Sequence, residues 1–167
     1  MSQGFDTDMV ACADMVRRGD PSRFKATMAA PVAARVVLFP IYAFNIEVAR
    51  APWVTQEPML AEMRLQWWRD ALEQIRSGGG ARRHEVVTPL ARVLDADAID
   101  LLDALIAARR RDTERAPFDN DAQFRDYIAA TSGNLMLVAA RALGPAEDAV
   151  VLDAGFALGI ANWLRAI

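Results

Sequence analysis

Between Arg35 and Leu72 the apolar residues recur at helical spacing, which restricts the chain to a fold built by packing helices on one another. Val36, Val37, Phe39, Ile41, Tyr42, Phe44, Ile46 and Val48 give the first half of this stretch a wide apolar face to bury. In the second half Met59, Met63, Trp67 and Leu72 share one side, with Glu62, Arg64, Arg69, Asp70 and Glu73 largely on the others. The same period continues through the rest of the chain, and the β-branched residues never gather into a bounded alternating pattern. The expectation is an all-α protein, an antiparallel helical bundle with short loops.

Proline, glycine and capping residues divide that pattern. Asp6 to Arg17 reads as a first helix, stopped by Arg18-Gly19-Asp20-Pro21, and Ser22 to Ala29 as a short second one. Pro31 suits the first turn of a third helix that ends before Pro52, because its missing N–H is not needed there. Pro40 should bend or interrupt that helix. Thr55 reads as the N-cap of a helix from about Pro58 to Arg76, which Gly78-Gly79-Gly80 ends. Val86 to Val93 follows as a short helix, Ala96 to Arg115 as a long one, and Asp121 as the cap of a helix reaching about Leu143. Glu147 to Ile167 is helical to the last residue, and a pattern that stops without a cap leads one to expect further chain, so that residues 1–167 form the N-terminal portion of a domain incomplete at its C-terminus. The triple glycine is the one candidate domain boundary, and helices on its two sides should still pack together.

Several classes of function fall away on composition. The 19 basic and 22 acidic residues nearly balance, so nothing favours a nucleic-acid partner. One cysteine, Cys12, precludes an internal disulfide, and with His84 as the single histidine there are too few soft ligands for structural zinc. Asp6, Asp8 and Asp14 lie where a secretory signal would need a basic start and an apolar run. No segment carries the ~18 uninterrupted apolar residues of a spanning helix. The expected setting is the cytoplasm, or its membrane surface, with no transmembrane segment.

No serine or cysteine sits in a nucleophile's sequence setting, and the triple glycine lacks the strand and the Lys-Ser/Thr pair of a phosphate cradle. His84, beside Arg82 and Arg83, reads as an exposed loop residue rather than a catalytic one. Arg109-Arg110-Arg111 with Asp112, Glu114 and Arg115 could grip an anion, but such a mixed run at a helix end reads first as a solvated face. Trp67 and Trp68 are adjacent and must point apart, one to the core and one to a groove.

Five blocks in order carry a resemblance to a known family. They are Asp20-Pro21-Ser22-Arg23-Phe24, Leu38-Phe39-Pro40-Ile41-Tyr42-Ala43-Phe44-Asn45, Arg64-Leu65-Gln66-Trp67-Trp68-Arg69-Asp70-Ala71-Leu72, the Tyr127 to Met136 segment with its small residues, and Gly155 to Arg165. Together they resemble the squalene/phytoene synthases. The resemblance implies an all-α isoprenoid-synthase bundle around a prenyl-diphosphate cavity. It also implies an enzyme that condenses two prenyl diphosphates head to head, with Mg²⁺ held by paired carboxylates at two aspartate-rich motifs.

Both motifs are altered. Spacing from Tyr42 puts the first on Ala49, Arg50 and Trp53, none of them acidic, with Glu47 the single carboxylate within a turn. At the second, Ala166 stands where the family has an aspartate after Leu164-Arg165, and Gly159 where it has a glutamine. Phe-Asn-x-Glu at residues 44–47 is more similar to the branch that includes a respiratory complex I assembly factor. The reading that follows is a binding or assembly scaffold with no catalytic residue and no metal or cofactor. A prenyltransferase using Mg²⁺ is its alternative, and a helical interaction module without a lipid ligand a third. The partners expected are a prenyl diphosphate or lipid-like ligand and a protein. Candidate binding residues are Tyr42, Asn45, Glu47, Arg50, Arg64, Gln66, Tyr127, Asn162 and Arg165. Asn45, Glu47 and Arg50 would form a polar patch meeting Arg64 or Gln66, or an ordinary interhelical hydrogen-bond network.

Overall fold

A computed structural model describes residues 6–79 and 82–166. Gly80 of the triple glycine and the final Ile167 lie outside the described residues. The described residues form helices and no strand: α1 (Thr7–Gly19), α2 (Pro21–Ala29), α3 (Val32–Arg50), α4 (Pro58–Ser77), α5 (Val87–Leu90), α6 (Ala96–Arg109), α7 (Arg111–Glu114), α8 (Asp121–Ile128), α9 (Asn134–Leu143) and α10 (Asp148–Ala166). The all-α fold is what the periodicity predicts, and it is consistent with the isoprenoid-synthase type that the resemblance implies.

Capping explains most of the boundaries. Asp6, Asp20, Asp95 and Asn120 accept from the backbone N–H three residues on, at 2.8 to 2.9 Å, each satisfying a donor that the first turn leaves unpaired. Two expected caps move by a residue or two. Asn120 rather than Asp121 caps α8, and α4 begins after Glu57, with Thr55 Oγ1 instead accepting from the Glu57 N–H at 3.1 Å in the preceding loop. Gly78 closes α4 in the left-handed region at φ 64°, where a side chain would be strained.

The core is organised around α3. Phe39, Ile41, Phe44 and Val48 are fully buried against Cys12 and Val16 of α1, Leu65 and Leu72 of α4, Val87 and Leu90 of α5, and Leu102, Leu105 and Ile106 of α6. Burying each of the larger side chains favours the fold by about 1.5–3 kcal/mol before conformational entropy is set against it. Pro40 does not interrupt α3, which runs unbroken on both sides of it; Pro40 is itself buried, so tight packing holds the helix although one backbone donor is missing.

The buried face of α4 differs from the one the sequence suggests. Leu65, Trp68 and Leu72 point inward, while Met59 and Met63 are 74% and 62% exposed. Trp68 meets Phe44 edge-on at 5.3 Å, and Trp67 is only partly buried. The expected long helix from Ala96 breaks at Arg110, where the bonds tighten to three-residue spacing: Arg110 N–H to Ala107 O at 3.3 Å and Thr113 N–H to Arg110 O at 3.0 Å. Between α8 and α9 the chain makes one π-helical turn, Ala129–Gly133, closed by the Asn134 N–H on Ala129 O five residues back.

Helix α10 lies across that turn. A Cβ on Gly155 would come within 2.9 Å of Gly133 Cα, and one on Gly159 within 2.7 Å of Ile128 Cγ2 and Ser132 Cβ, so both glycines are required by close approach. By length and composition α3 and α10 could each cross a membrane. Helix α3 is packed inside the bundle, whereas α10 buries little beyond Gly155 and Gly159. Helices α4 and α6 face each other across the glycine link, joined by Arg69 to Asp103 at 2.6 and 2.8 Å.

Candidate functional site

A large cavity, about 670 Å³, opens between α2, α3, the α6–α7 junction, α8 and α10. Its position follows from the break at Arg110. Because the helix ends and restarts there, Arg109 and Arg111 turn to one side with Asp112 and Arg115, while Arg110 turns to the other and bonds Gln66 Oε1 at 2.7 Å. The chain then leaves α7 through Arg115, which adopts the left-handed conformation at φ 52°, strained for a residue with a side chain.

One wall is a polar network. Arg109 Nη1 donates to the Tyr127 hydroxyl at 2.7 Å and to Asp112 Oδ2 at 3.1 Å, and the Tyr127 hydroxyl donates to Asp112 Oδ1 at 2.8 Å. The side chains are largely enclosed, Asp112 being 11% exposed and Arg109 22%. Burial pushes the Tyr127 phenol well above its ordinary range, so it stays protonated and keeps a hydrogen to donate. Thr131 satisfies its hydroxyl on the Tyr127 carbonyl at 2.7 Å.

Tyr127 also joins an aromatic cluster with Phe118, Phe124 and Trp163, ring centroids 5.2 to 5.8 Å apart, of which Phe118, Tyr127 and Trp163 line the cavity. Arg111 lies over the Phe118 ring at 4.5 Å and Arg115 over Trp53 at 5.4 Å. Trp53, 61% exposed, stands at the rim, and Asn45, Ile128, Ser132, Leu135 and Gly159 also line the cavity.

The sequence candidates divide between places. Asn45, Tyr127 and Asn162 share the large cavity, and Arg165 supports it by donating to Asn162 Oδ1 at 2.8 Å. Glu47 and Arg64 line a second cavity of about 240 Å³ with Trp67, Trp68 and His84, and Glu47 pairs with the exposed Arg50 at 3.3 Å. Gln66 lies on another face with Asp70 and Arg110. Tyr42 lines neither cavity; Arg23 of the large one sits over its ring at 5.4 Å. Of the expected polar patch, Glu47 and Arg50 pair and Glu47 shares the second cavity with Arg64, while Asn45, two residues before Glu47 on α3, turns to the large cavity instead.

Two other readings are corrected. The run from Arg109 to Arg115 is a solvated face only in part: Glu114 and Arg115 are exposed, whereas Arg109, Arg111 and Asp112 are partly buried and, with Arg115, line the cavity. The signal was present as three arginines and an aspartate, but the helix break that turns them inward was not visible in the periodicity. His84 is no free loop residue: its Nδ1 accepts from the Val86 N–H at 3.1 Å, and its ring packs at 5.1 and 5.6 Å from Trp67 and Trp68.

The cavity does not suit a magnesium ion. Asp112 is its one carboxylate, and both its oxygens are engaged by Arg109 and Tyr127. Among the described residues no group of three or more acidic, histidine or cysteine side chains is placed to hold a metal. Mg²⁺ is bound through carboxylates and substrate phosphates, and the neighbouring charges here are guanidiniums that would repel it.

Comparison with known proteins gives a consistent result. The family model described as squalene/phytoene synthase matches residues 16–167. The Drosophila melanogaster protein named NADH dehydrogenase (ubiquinone) complex I, assembly factor 6 homolog is 28% identical over 93% of this chain and 49% of its own length. The assembly factor 6 proteins of Homo sapiens and Bos taurus are 22% and 23% identical, again over 93% of this chain and 48% of theirs. The chain thus spans about half the length of the curated relatives it matches. No solved structure matches it significantly.

Proposed function

This chain belongs to the squalene/phytoene synthase family, and we propose that it is a non-catalytic member, which holds a ligand in its cavity and serves the assembly of a respiratory NADH dehydrogenase. The observation that carries this reading is the wall around Asp112. Metal-dependent prenyl transfer ionises a diphosphate against Mg²⁺, and Mg²⁺ needs free carboxylates. The wall offers four arginines and one aspartate already tied to Arg109 and Tyr127. The names of the Drosophila, human and bovine relatives support the assembly role.

A cytoplasmic position touching the membrane surface belongs to the same proposal. It draws support from the corner between α3 and α4, where Trp53, Val54, Met59, Leu60 and Met63 are all exposed. The protein partner would be a subunit or intermediate of the complex being assembled.

Two measurements test the proposal together. Purified protein given farnesyl or geranylgeranyl diphosphate with Mg²⁺ should release no pyrophosphate above background. Removing the gene from its own organism should reduce the amount of assembled NADH dehydrogenase on a native gel. Pyrophosphate release with an unchanged level of the complex would replace this reading with the prenyltransferase one.

A further inference from the structure

We infer that the second cavity, walled by Trp67, Trp68 and His84, binds a small zwitterion, its ammonium group on the Glu47 carboxylate and its anionic group toward Arg64. This site is separate from the cavity around Asp112, and its ligand does not depend on what that cavity holds.

Packing fixes the walls before any ligand arrives. Trp68 of α4 is buried and held edge-on by Phe44 of α3, and Trp67 stands perpendicular to it at 4.9 Å. His84, in the segment leading into α5, packs on both rings; its Nδ1 accepts from the Val86 N–H, and its own backbone N–H donates to Thr88 Oγ1 at 3.2 Å. A neutral imidazole that accepts at Nδ1 carries its hydrogen at Nε2. Rings held in this way lose little freedom when a ligand enters.

Charges of both signs face this space without cancelling each other. Among the described residues that line it Glu47 alone is acidic, and its side chain is 20% exposed. Its partner Arg50, at 3.3 Å, is 56% exposed, and a surface pair of that kind contributes little, so Glu47 keeps charge to offer on the cavity side. Arg64 lines the same cavity, yet among the described residues no carboxylate, Glu47 included, lies within 4.0 Å of its guanidinium. The Arg82 guanidinium lies over the Trp67 ring at 5.8 Å, which shows that this indole face attracts a cation.

Simpler ligands fit these charges poorly. A metal ion needs several oxygen ligands and finds one carboxylate. A plain anion would meet Glu47, and a plain cation the guanidiniums of Arg64 and Arg82. A molecule carrying both charges a few bonds apart suits each: its ammonium lies on Glu47 and the indole faces, and its carboxylate or phosphate on the fork of Arg64. The cavity, about 240 Å³, admits a free amino acid or the headgroup of a zwitterionic phospholipid without its chains.

The test is titration calorimetry with two matched pairs of probes. L-phenylalanine and glycerophosphoethanolamine carry both charges; 3-phenylpropionate and glycerol 3-phosphate are their counterparts without the ammonium. At least one zwitterion should bind about tenfold more tightly than its counterpart, the size of one hydrogen bond to a charged group. A preference within the phenylalanine pair identifies a free amino acid and one within the glycerophosphoethanolamine pair a lipid headgroup; either supports the inference. Glu47→Gln should abolish that preference. In the wild-type protein the indole N–H resonances of Trp67 and Trp68 should move on adding the preferred zwitterion while that of Trp163, in the other cavity, stays, which decides the matter if Glu47→Gln is poorly folded by circular dichroism. No binding of either zwitterion at millimolar concentration, an undiminished preference in folded Glu47→Gln, or shifts at Trp163 without shifts at Trp67 and Trp68 would each overturn it.

Discussion

Arg109 donates to the Tyr127 hydroxyl at 2.7 Å across 18 residues of sequence, tying the end of α6 to α8 at the cavity wall. The same hydroxyl donates to Asp112, so one phenol serves both members of an ion pair.

Tyr127→Phe removes that hydroxyl and leaves the ring in its aromatic cluster. Hydrogen bonds to charged groups in partly buried settings contribute about 1.5–3 kcal/mol, and the remaining Arg109–Asp112 contact recovers a portion. The urea midpoint should fall by the equivalent of about 1–2 kcal/mol, with the slope unchanged. A midpoint equal to wild type would mean that solvent replaces the phenol without loss.

Gly155→Ala should destabilise the protein although alanine is the better helix former. Its methyl would come within 2.9 Å of Gly133 Cα, which is backbone and cannot swing aside. Overpacking of this kind costs about 1–3 kcal/mol and exceeds the ~1 kcal/mol of helix propensity gained. Gly79→Ala is the control, because Ser77 Oγ at 3.5 Å is the nearest atom there. Thermal melts should separate the two variants by several degrees, and equal melting temperatures would argue against a close crossing of α10 on the π turn.

Acid should weaken the fold through surface carboxylates. The Arg92 guanidinium, with the Met9 N–H, holds Asp6 below the ordinary 3.8, and Arg17 and Arg141 do the same for Asp14 and Asp148. A carboxyl with a lowered folded pKa adds stability above its unfolded pKa and loses it as the pH falls through the folded value. Asp6→Asn should therefore lower the urea midpoint at pH 6, with a smaller difference from wild type at pH 3. A difference that does not narrow in acid would assign the loss to packing.

Burial pushes the Cys12 thiol up to about 12 from 9.0, and its Sγ donates to the Glu85 carbonyl at 3.3 Å. The native thiol should resist an aromatic disulfide reagent at pH 8 and react once in denaturant. Because the folded pKa is the higher one, stability should decline as the pH rises from about 9 toward 12. Rapid modification of the native protein would show that α1 opens locally.

The helical class and the order of helices were legible because apolar residues recur at helical spacing and because the breaks at Gly19-Asp20-Pro21 and at Gly78 stand where helices end. Asn45, Tyr127 and Asn162 were also within reach, since their blocks resemble a known family. The turn of Arg111 and Asp112 toward the cavity was not, because it depends on a tightened bond from Arg110 that periodicity does not encode. Nor was the orientation of α4: Met59 and Met63 fit an apolar stripe as well as Leu65 and Trp68 do, and only packing against Phe44 decides between them. Asn45 and Glu47 part for a simpler reason, since two residues along a helix turn a side chain by roughly 200°.

The π turn at Ala129–Gly133 holds one residue more than a regular helix needs to reach the same height. Each residue of an α-helix advances the azimuth by about 100°. Loss of a single codon in this turn would leave α8 and α9 joined as a continuous rod while rotating Tyr127 away from Asp112 by about that angle. The alignment of the cavity wall with the hydrophobic seam of α9 is thus a matter of phase, set by one inserted residue rather than by any contact it makes.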